Sequence, residues 1–289
     1  MMRRKAFIAA LILSMLFPVL LMGEGKVFTK KVRLADFTTK TTKVVLSGSA
    51  LWDANLKNEI TSRWHISPYE FCSVEEYEAL KNKPDYYFLR TVRTTFKDET
   101  GPGLLFLSLI KGGKEDTPDP MSRTFEVVGA PVASTGVSTG REFLFLGAMV
   151  DVFQDFVLDA MESDRQAYAG LNTYNSRLAK SRAKKIFLSE SDLGFKFTPE
   201  LRNRYLNANF RVVGENEADE IFQAGEPGTI VSFTVSPQDA GSSSYCYKML
   251  FDAGTHELVC YKRHRVTNTA WKGFLLSDIK TISSIMKKR

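Results

Sequence analysis

Thiols, imidazoles and closely spaced carboxylates are the side chains from which this chain could build reactive chemistry. It has three cysteines, Cys72, Cys246 and Cys260, and three histidines, His65, His256 and His264. A cysteine nucleophile needs a base within hydrogen-bond reach. His65 is the imidazole nearest to Cys72 in sequence. An odd number of positions separates them along an extended stretch, so they point to opposite faces. Cys72 directly precedes Ser73, which reads as a helix cap, and this placement predicts a hydrophobic staple in which Cys72 packs on Tyr77.

Cys246 and Cys260 sit on the two arms of the strongest hairpin in the sequence. The run Phe251-Asp-Ala-Gly-Thr255 reads as a type I turn with Gly254 in the left-handed position, which pairs Phe251 with Thr255. Counting outward places Cys246 opposite Cys260 at a non-hydrogen-bonded pair, where side chains approach closely. A disulfide is permitted there in an oxidising compartment. The alternative is two reduced thiols, because a slip of one residue moves them to opposite faces.

Metal and phosphate chemistry finds little to work with. A zinc site needs three or four converging ligands. His256 and His264 read as sharing one strand at a separation of about 27 Å, too far for one ion. Gly136-Val-Ser-Thr-Gly140 precedes a helix but lacks the Gly-Lys-Ser/Thr ending of a phosphate loop. It reads as a connector in which Thr139 and Glu142 form a capping box. No His-Glu-x-x-His pair occurs. No cofactor, metal or catalytic residue is therefore assigned. Asp151, Asp155 and Asp159 recur every fourth residue and could line a groove or bind a cation; the plainer reading is a solvated helix face. Glu75, Glu76 and Glu78 suit the first turn of a helix. Aromatic runs at Trp64–Tyr69, Tyr86–Phe88 and Tyr245–Tyr247 could hold sugars or peptides, although at strand spacing cross-strand packing accounts for them.

The elements that must carry these residues appear twice in the same order. In the first half, Lys43–Leu46 seeds a strand and Ala50–Arg63 a helix, with Trp52, Leu56, Ile60 and Trp64 at helical spacing. His65–Phe71 is extended, and Ser73 with Glu76 opens a helix over Val74–Lys81. Asp85–Arg93, Gly103–Lys111 and Thr124–Ala130 are strands, and a long helix starts at Gly140. In the second half, Lys185–Leu188 is a strand, and Thr198 with Pro199 opens a helix to Tyr205. Asn209–Val213 is extended and Glu215–Gln223 is helical. Strands follow at Thr229–Ser236, Ser244–Phe251 and Glu257–Arg265, with a helix from Gly273 to Met286. The fold class is α/β to α+β: two β-α-β-α-β-β-β-α lobes with mixed sheets. The lobes span residues 26–150 and 185–289, and a helical connector spans 151–184.

Residues 1–25 have the form of a secretory signal. Arg3, Arg4 and Lys5 precede an apolar run from Ala6 to Met22, and Gly23-Glu24-Gly25 supplies small residues for cleavage. The run is short for a membrane span and Pro18 interrupts it. Removing these residues lowers the formal charge from +6 to +4. The remaining basic residues form no concentrated stripe, so nucleic acid is not an expected partner. Arg177, Lys180, Arg182, Lys184 and Lys185 read as a solvated helix face. After processing no segment suits a bilayer, because Phe143–Met161 carries three aspartates. The composition, 44% hydrophobic and 12% aromatic, can fill a core.

The order of strand Val44–Leu46, helix Leu51–Trp64 and helix-strand Val74–Phe88 resembles small α/β envelope domains. Two are the N-terminal domain of the Tol-system propeller protein and the periplasmic domain of the curli-secretion lipoprotein. Ser62–Phe71, Gly140–Leu144 and Gly273–Ile279 are similar to segments of uncharacterised exported proteins of Bacteroidota. The signal at residues 1–25 implies a periplasmic or extracellular location, and the resemblance brings no activity with it. Together these readings predict an exported, non-catalytic envelope protein that binds a protein partner or an envelope polymer. Two alternatives stand beside it. One is a carboxylate-based hydrolase with a site drawn from distant loops. The other is a structural subunit that self-assembles through edge strands such as Gly103–Ile110. The sequence does not fix the oligomeric state.

Overall fold

The computed structural model describes residues 31–287 except 98, 100, 102, 120, 121 and 183. The expected export signal, residues 1–25, lies outside the described residues. Two five-stranded mixed sheets form the framework, with helices packed on them. The first half contributes β1 (Thr41–Val45), α1 (Ala50–Arg63), β2 (Tyr69–Cys72), α2 (Val74–Leu80), β3 (Tyr86–Thr94), β4 (Leu104–Lys111) and β5 (Phe125–Ser134). A helical stretch follows: α3 (Arg141–Leu144), α4 (Leu146–Glu162), α5 (Asp164–Ala169), a 3-10 segment (Gly170–Ser176) and α6 (Arg177–Lys180). The second half contributes β6 (Lys185–Ser189), α7 (Pro199–Tyr205), β7 (Phe210–Val213), α8 (Glu215–Ala224), β8 (Thr229–Val235), β9 (Tyr245–Asp252), β10 (Leu258–Arg265) and α9 (Leu276–Lys287).

The two sheets have one topology. The first runs β2-β1-β3-β4-β5 and the second β7-β6-β8-β9-β10. In each, the first strand pairs in parallel with its two neighbours, and the last two strands add antiparallel. The doubled element order read from the sequence is thus a doubled topology. Local signals explain the boundaries. Ser73 and Thr198 accept hydrogen bonds from the Glu76 and Leu201 amides, which caps α2 and α7. Pro199 begins α7, where its missing amide hydrogen costs nothing.

Helix α4 is buried on nearly every side: Met149, Val152, Phe153, Phe156, Val157 and Ala160 lie in the main core. Such a helix belongs inside a layered structure rather than on its surface. It packs against α1 and β5. The main core unites residues of both halves, from Leu56 and Tyr87 to Phe233 and Met249. The second sheet's other face packs with α7 and α9 around Leu188, Phe210, Leu250 and Ile279. Among the described residues, no helix is long and apolar enough to cross a membrane.

Strand β4 lies between β3 and β5. The expectation that Gly103–Ile110 is an edge available for self-assembly is therefore corrected: both of its sides are already hydrogen-bonded. The β10 edge is engaged at Tyr261, whose backbone exchanges two hydrogen bonds of 2.8 Å with Asn175.

Candidate binding groove

The shared topology assigns each residue of one sheet a counterpart in the other. On the face of the first sheet that carries α2, Phe88 pairs with Ile110, Arg90 with Ser108 and Val92 with Phe106. The matching pairs on the α8 face of the second sheet are Val231 with Phe251, Phe233 with Met249 and Val235 with Tyr247. Glu126 pairs with Ile110 as Leu258 pairs with Phe251.

These equivalent faces meet different fates. In the second sheet all of the counterparts are buried, and the first half of the chain covers them; on the first face Phe88, Phe106 and Ser108 are buried too, while Arg90, Val92, Ile110 and Glu126 are partly exposed. Phe145, at the junction of α3 and α4, stacks on Phe222 at 4.1 Å and on Phe233 at 4.5 Å. Phe106 and its counterpart Tyr247 touch each other at 5.7 Å. Polar links fasten the same junction. The buried Arg141 donates to Asp192 at 3.0 Å, to Asp219 at 2.8 Å and to the Ser232 carbonyl at 2.9 Å. Asp192 also accepts from the Ser232 and Thr234 hydroxyls.

In the first sheet the corresponding surface is an open groove of about 840 Å³, within the size range of small-ligand sites. Phe88, Val92 and Ile110 give it an apolar floor, and Tyr77 of α2 forms a wall. Tyr77 meets Phe88 edge-on at 5.0 Å. The Arg90 guanidinium lies 4.5 Å from the centre of the Tyr77 ring, a cation–π placement that orients it. Ser108 donates to Glu126 Oε1 at 2.6 Å. Burial pushes the Glu126 carboxyl above its ordinary pKa, while the Ser108 hydrogen bond opposes the shift. Among the described residues, Glu126 has no cationic partner and Arg90 no anionic one. The rim is the loop from Lys114 to Pro118. Gly112 lets the chain leave β4 beneath the end of α2: a Cβ there would collide with the Lys83 carbonyl and the Phe88 ring.

Of the residues singled out from the sequence, Phe88 of the Tyr86–Phe88 run and Tyr77 line the groove; the cysteines, histidines and the aspartates of α4 fall elsewhere. Cys246 pairs with His264 and Cys260 with Leu250, so the expected pairing of Cys246 with Cys260 is corrected. The turn is longer than a three-residue loop. Asp252 Oδ1 accepts from the Gly254 and Thr255 amides, His256 takes a left-handed φ of +58°, and Phe251 pairs with Leu258 instead of Thr255. The two sulfurs' strand positions are thereby offset by roughly 13 Å. All three cysteines are free and buried, with thiols pushed up to about 11 by desolvation, which suits packing rather than nucleophilic attack. Cys72 clusters with Tyr77, Val45 and Phe88, as the staple requires.

His256 sits in the turn before β10, not on the strand with His264. Its Nδ1 lies 2.7 Å from Asp151 Oδ2, which also accepts from Arg63 at 3.0 Å. Asp159 accepts from Tyr174 and Arg177. Two members of the aspartate row of α4, Asp151 and Asp159, are thus tied to neighbouring elements, and Asp155 between them is exposed. Asp155 is raised in pKa, by desolvation first. Thr139 and Glu142 form the reciprocal half of the capping box, with the Thr139 amide donating to Glu142. Among the described residues, no group of three His, Cys, Asp or Glu converges as a metal site.

The chain matches no family model, no curated protein and no solved structure. Arg90, Ser108 and Glu126 escaped the sequence reading. The signal that could have found them is positional: they are polar where the second half has Phe233, Met249 and Leu258.

Proposed function

We propose that this protein is an exported, non-catalytic binding protein of the cell envelope. In this reading the first-lobe groove takes the ligand, a protein segment or envelope polymer, and the second lobe serves as its structural support. The observation that carries the reading is the contrast between equivalent faces. One is apolar and filled from within the molecule; the other is open and carries unpaired charge. Natural interiors rarely leave such groups without partners, and a concave apolar surface with a few convergent polar groups is the usual form of a ligand site. The export assignment rests on residues 1–25 alone.

The test is capture from envelope extract by the wild-type protein and by Arg90→Glu. A component retained by the first and lost by the second supports the reading. Equal capture by both, or none by either, refutes it. One observation favours the hydrolase alternative: Glu126 is a partly desolvated carboxyl beside a groove, a form suited to a general acid. Turnover of an ester, glycoside or peptide that disappears in Glu126→Gln would establish that alternative.

A further inference from the structure

Resting on the reading of this groove as a binding site, we infer that its ligand is a short zwitterionic peptide, with its amine at Glu126 and its carboxylate at Arg90. The two side chains supply opposite charges in one concavity and are not paired with each other. Arg90 is held against the Tyr77 ring with its donors uncommitted, whereas the neighbouring Lys81 is engaged by Glu78. Glu126 accepts one hydroxyl hydrogen bond through Oε1, which leaves Oε2 available to a cation. A desolvated carboxylate gains most from an ammonium ion that enters the same low-dielectric space.

Strand spacing sets the scale of the ligand's length. Arg90 lies on β3 and Glu126 on β5, with β4 between them. Neighbouring strands are about 4.8 Å apart, so the two backbones are separated by about 10 Å, and the Glu126 carboxylate leans across to the Ser108 hydroxyl on β4. An extended tripeptide spans about 10 Å between its termini. The floor between the charged groups is Ile110 with Phe88 and Val92, which suits an apolar central side chain. A purely anionic ligand would leave Glu126 opposed by nothing favourable, and a neutral apolar one would bury both charges unpaired.

The experiment is calorimetric titration of the purified protein near pH 7.5 with the tripeptide Ala-Leu-Ala, its N-acetylated form and its C-amidated form. Wild type, Glu126→Gln and Arg90→Gln are compared, and circular dichroism checks that each variant is folded. Each cap is expected to weaken binding to the wild type by about tenfold, the effect of losing one charge-assisted hydrogen bond. Acetylation should cost nothing further in Glu126→Gln, and amidation nothing further in Arg90→Gln. Capped peptides that bind wild type as tightly as the free one, or cap effects unchanged in the variants, would overturn the zwitterion. So would the absence of any peptide binding at millimolar concentration. In those cases, capture of an envelope component that depends on Arg90 leaves the binding reading standing, and its absence removes both.

Discussion

Strands β3–β5 and β8–β10 have the same directions and order, yet one set forms the floor of a groove and the other the centre of the core. The difference lies in a few inward positions. Phe233, Met249 and Leu258 make the second face uniformly apolar, and Phe145 closes it. Arg90, Ser108 and Glu126 occupy the matching places on the first face, where charge resists dehydration by another apolar layer. The pair teaches that a repeated module can turn one surface into glue and leave its twin an open groove without altering backbone topology.

The largest expected effects come from opening the covered face. Phe145→Ala removes a ring stacked between Phe222 and Phe233 and should cost about 3–5 kcal/mol in urea unfolding. Arg141→Ala leaves Asp192 buried beside a missing cation and should cost a similar amount, about 3–5 kcal/mol. In the groove, Ile110→Ala should cost about 1 kcal/mol or less, because part of that side chain is already hydrated. Equal losses at Phe145 and Ile110 would break the distinction between the faces.

Making the groove resemble its twin sharpens the comparison. The double change Arg90→Phe and Ser108→Met recreates the apolar pair Phe233 and Met249. It should leave the fold in place, at the cost of the hydrogen bond from the buried Ser108 to Glu126, and expose a sticky patch around position 90, seen as self-association by light scattering. A strictly monomeric double variant would argue that more than surface chemistry separates the two faces.

Glu126 supplies a smaller, pH-dependent effect. Its carboxyl is raised in the folded state, so folding favours the protonated form. Its contribution to stability is fully present below the unfolded glutamate pKa and is lost as pH rises through the folded value. Glu126→Gln should therefore gain stability relative to wild type at neutral pH, with the gap closing below about pH 4. An unchanged gap across that range in urea titrations would show that burial does not act on this carboxyl. The smallest effect concerns the thiols. All three are buried with raised pKa values. Labelling should be negligible in the native state and reach three thiols per chain on unfolding without reductant.

Much of this fold was legible because its signals are local. Ser73, Thr198 and Pro199 mark helix starts, and the stripe Trp52, Leu56, Ile60 and Trp64 gives α1 its period. The hairpin register was not legible, since it depends on Asp252 capping a longer turn and on His256 accepting a left-handed backbone. The groove was hidden for a different reason. Arg90 and Ser108 look like ordinary solvent-facing positions on alternating strands. Only the pairing of β3 with β4 and β5, and the covering of their counterparts by Phe145, shows that these polar residues share one concavity.

The contrast between twin faces is tested most directly by thiol accessibility at one equivalent pair, Arg90→Cys and Phe233→Cys, measured in native buffer with circular dichroism confirming the fold. The account predicts labelling at position 90 at least about a hundredfold faster than at position 233, where reaction must wait for local or global opening. Comparable rates at the two positions would contradict it.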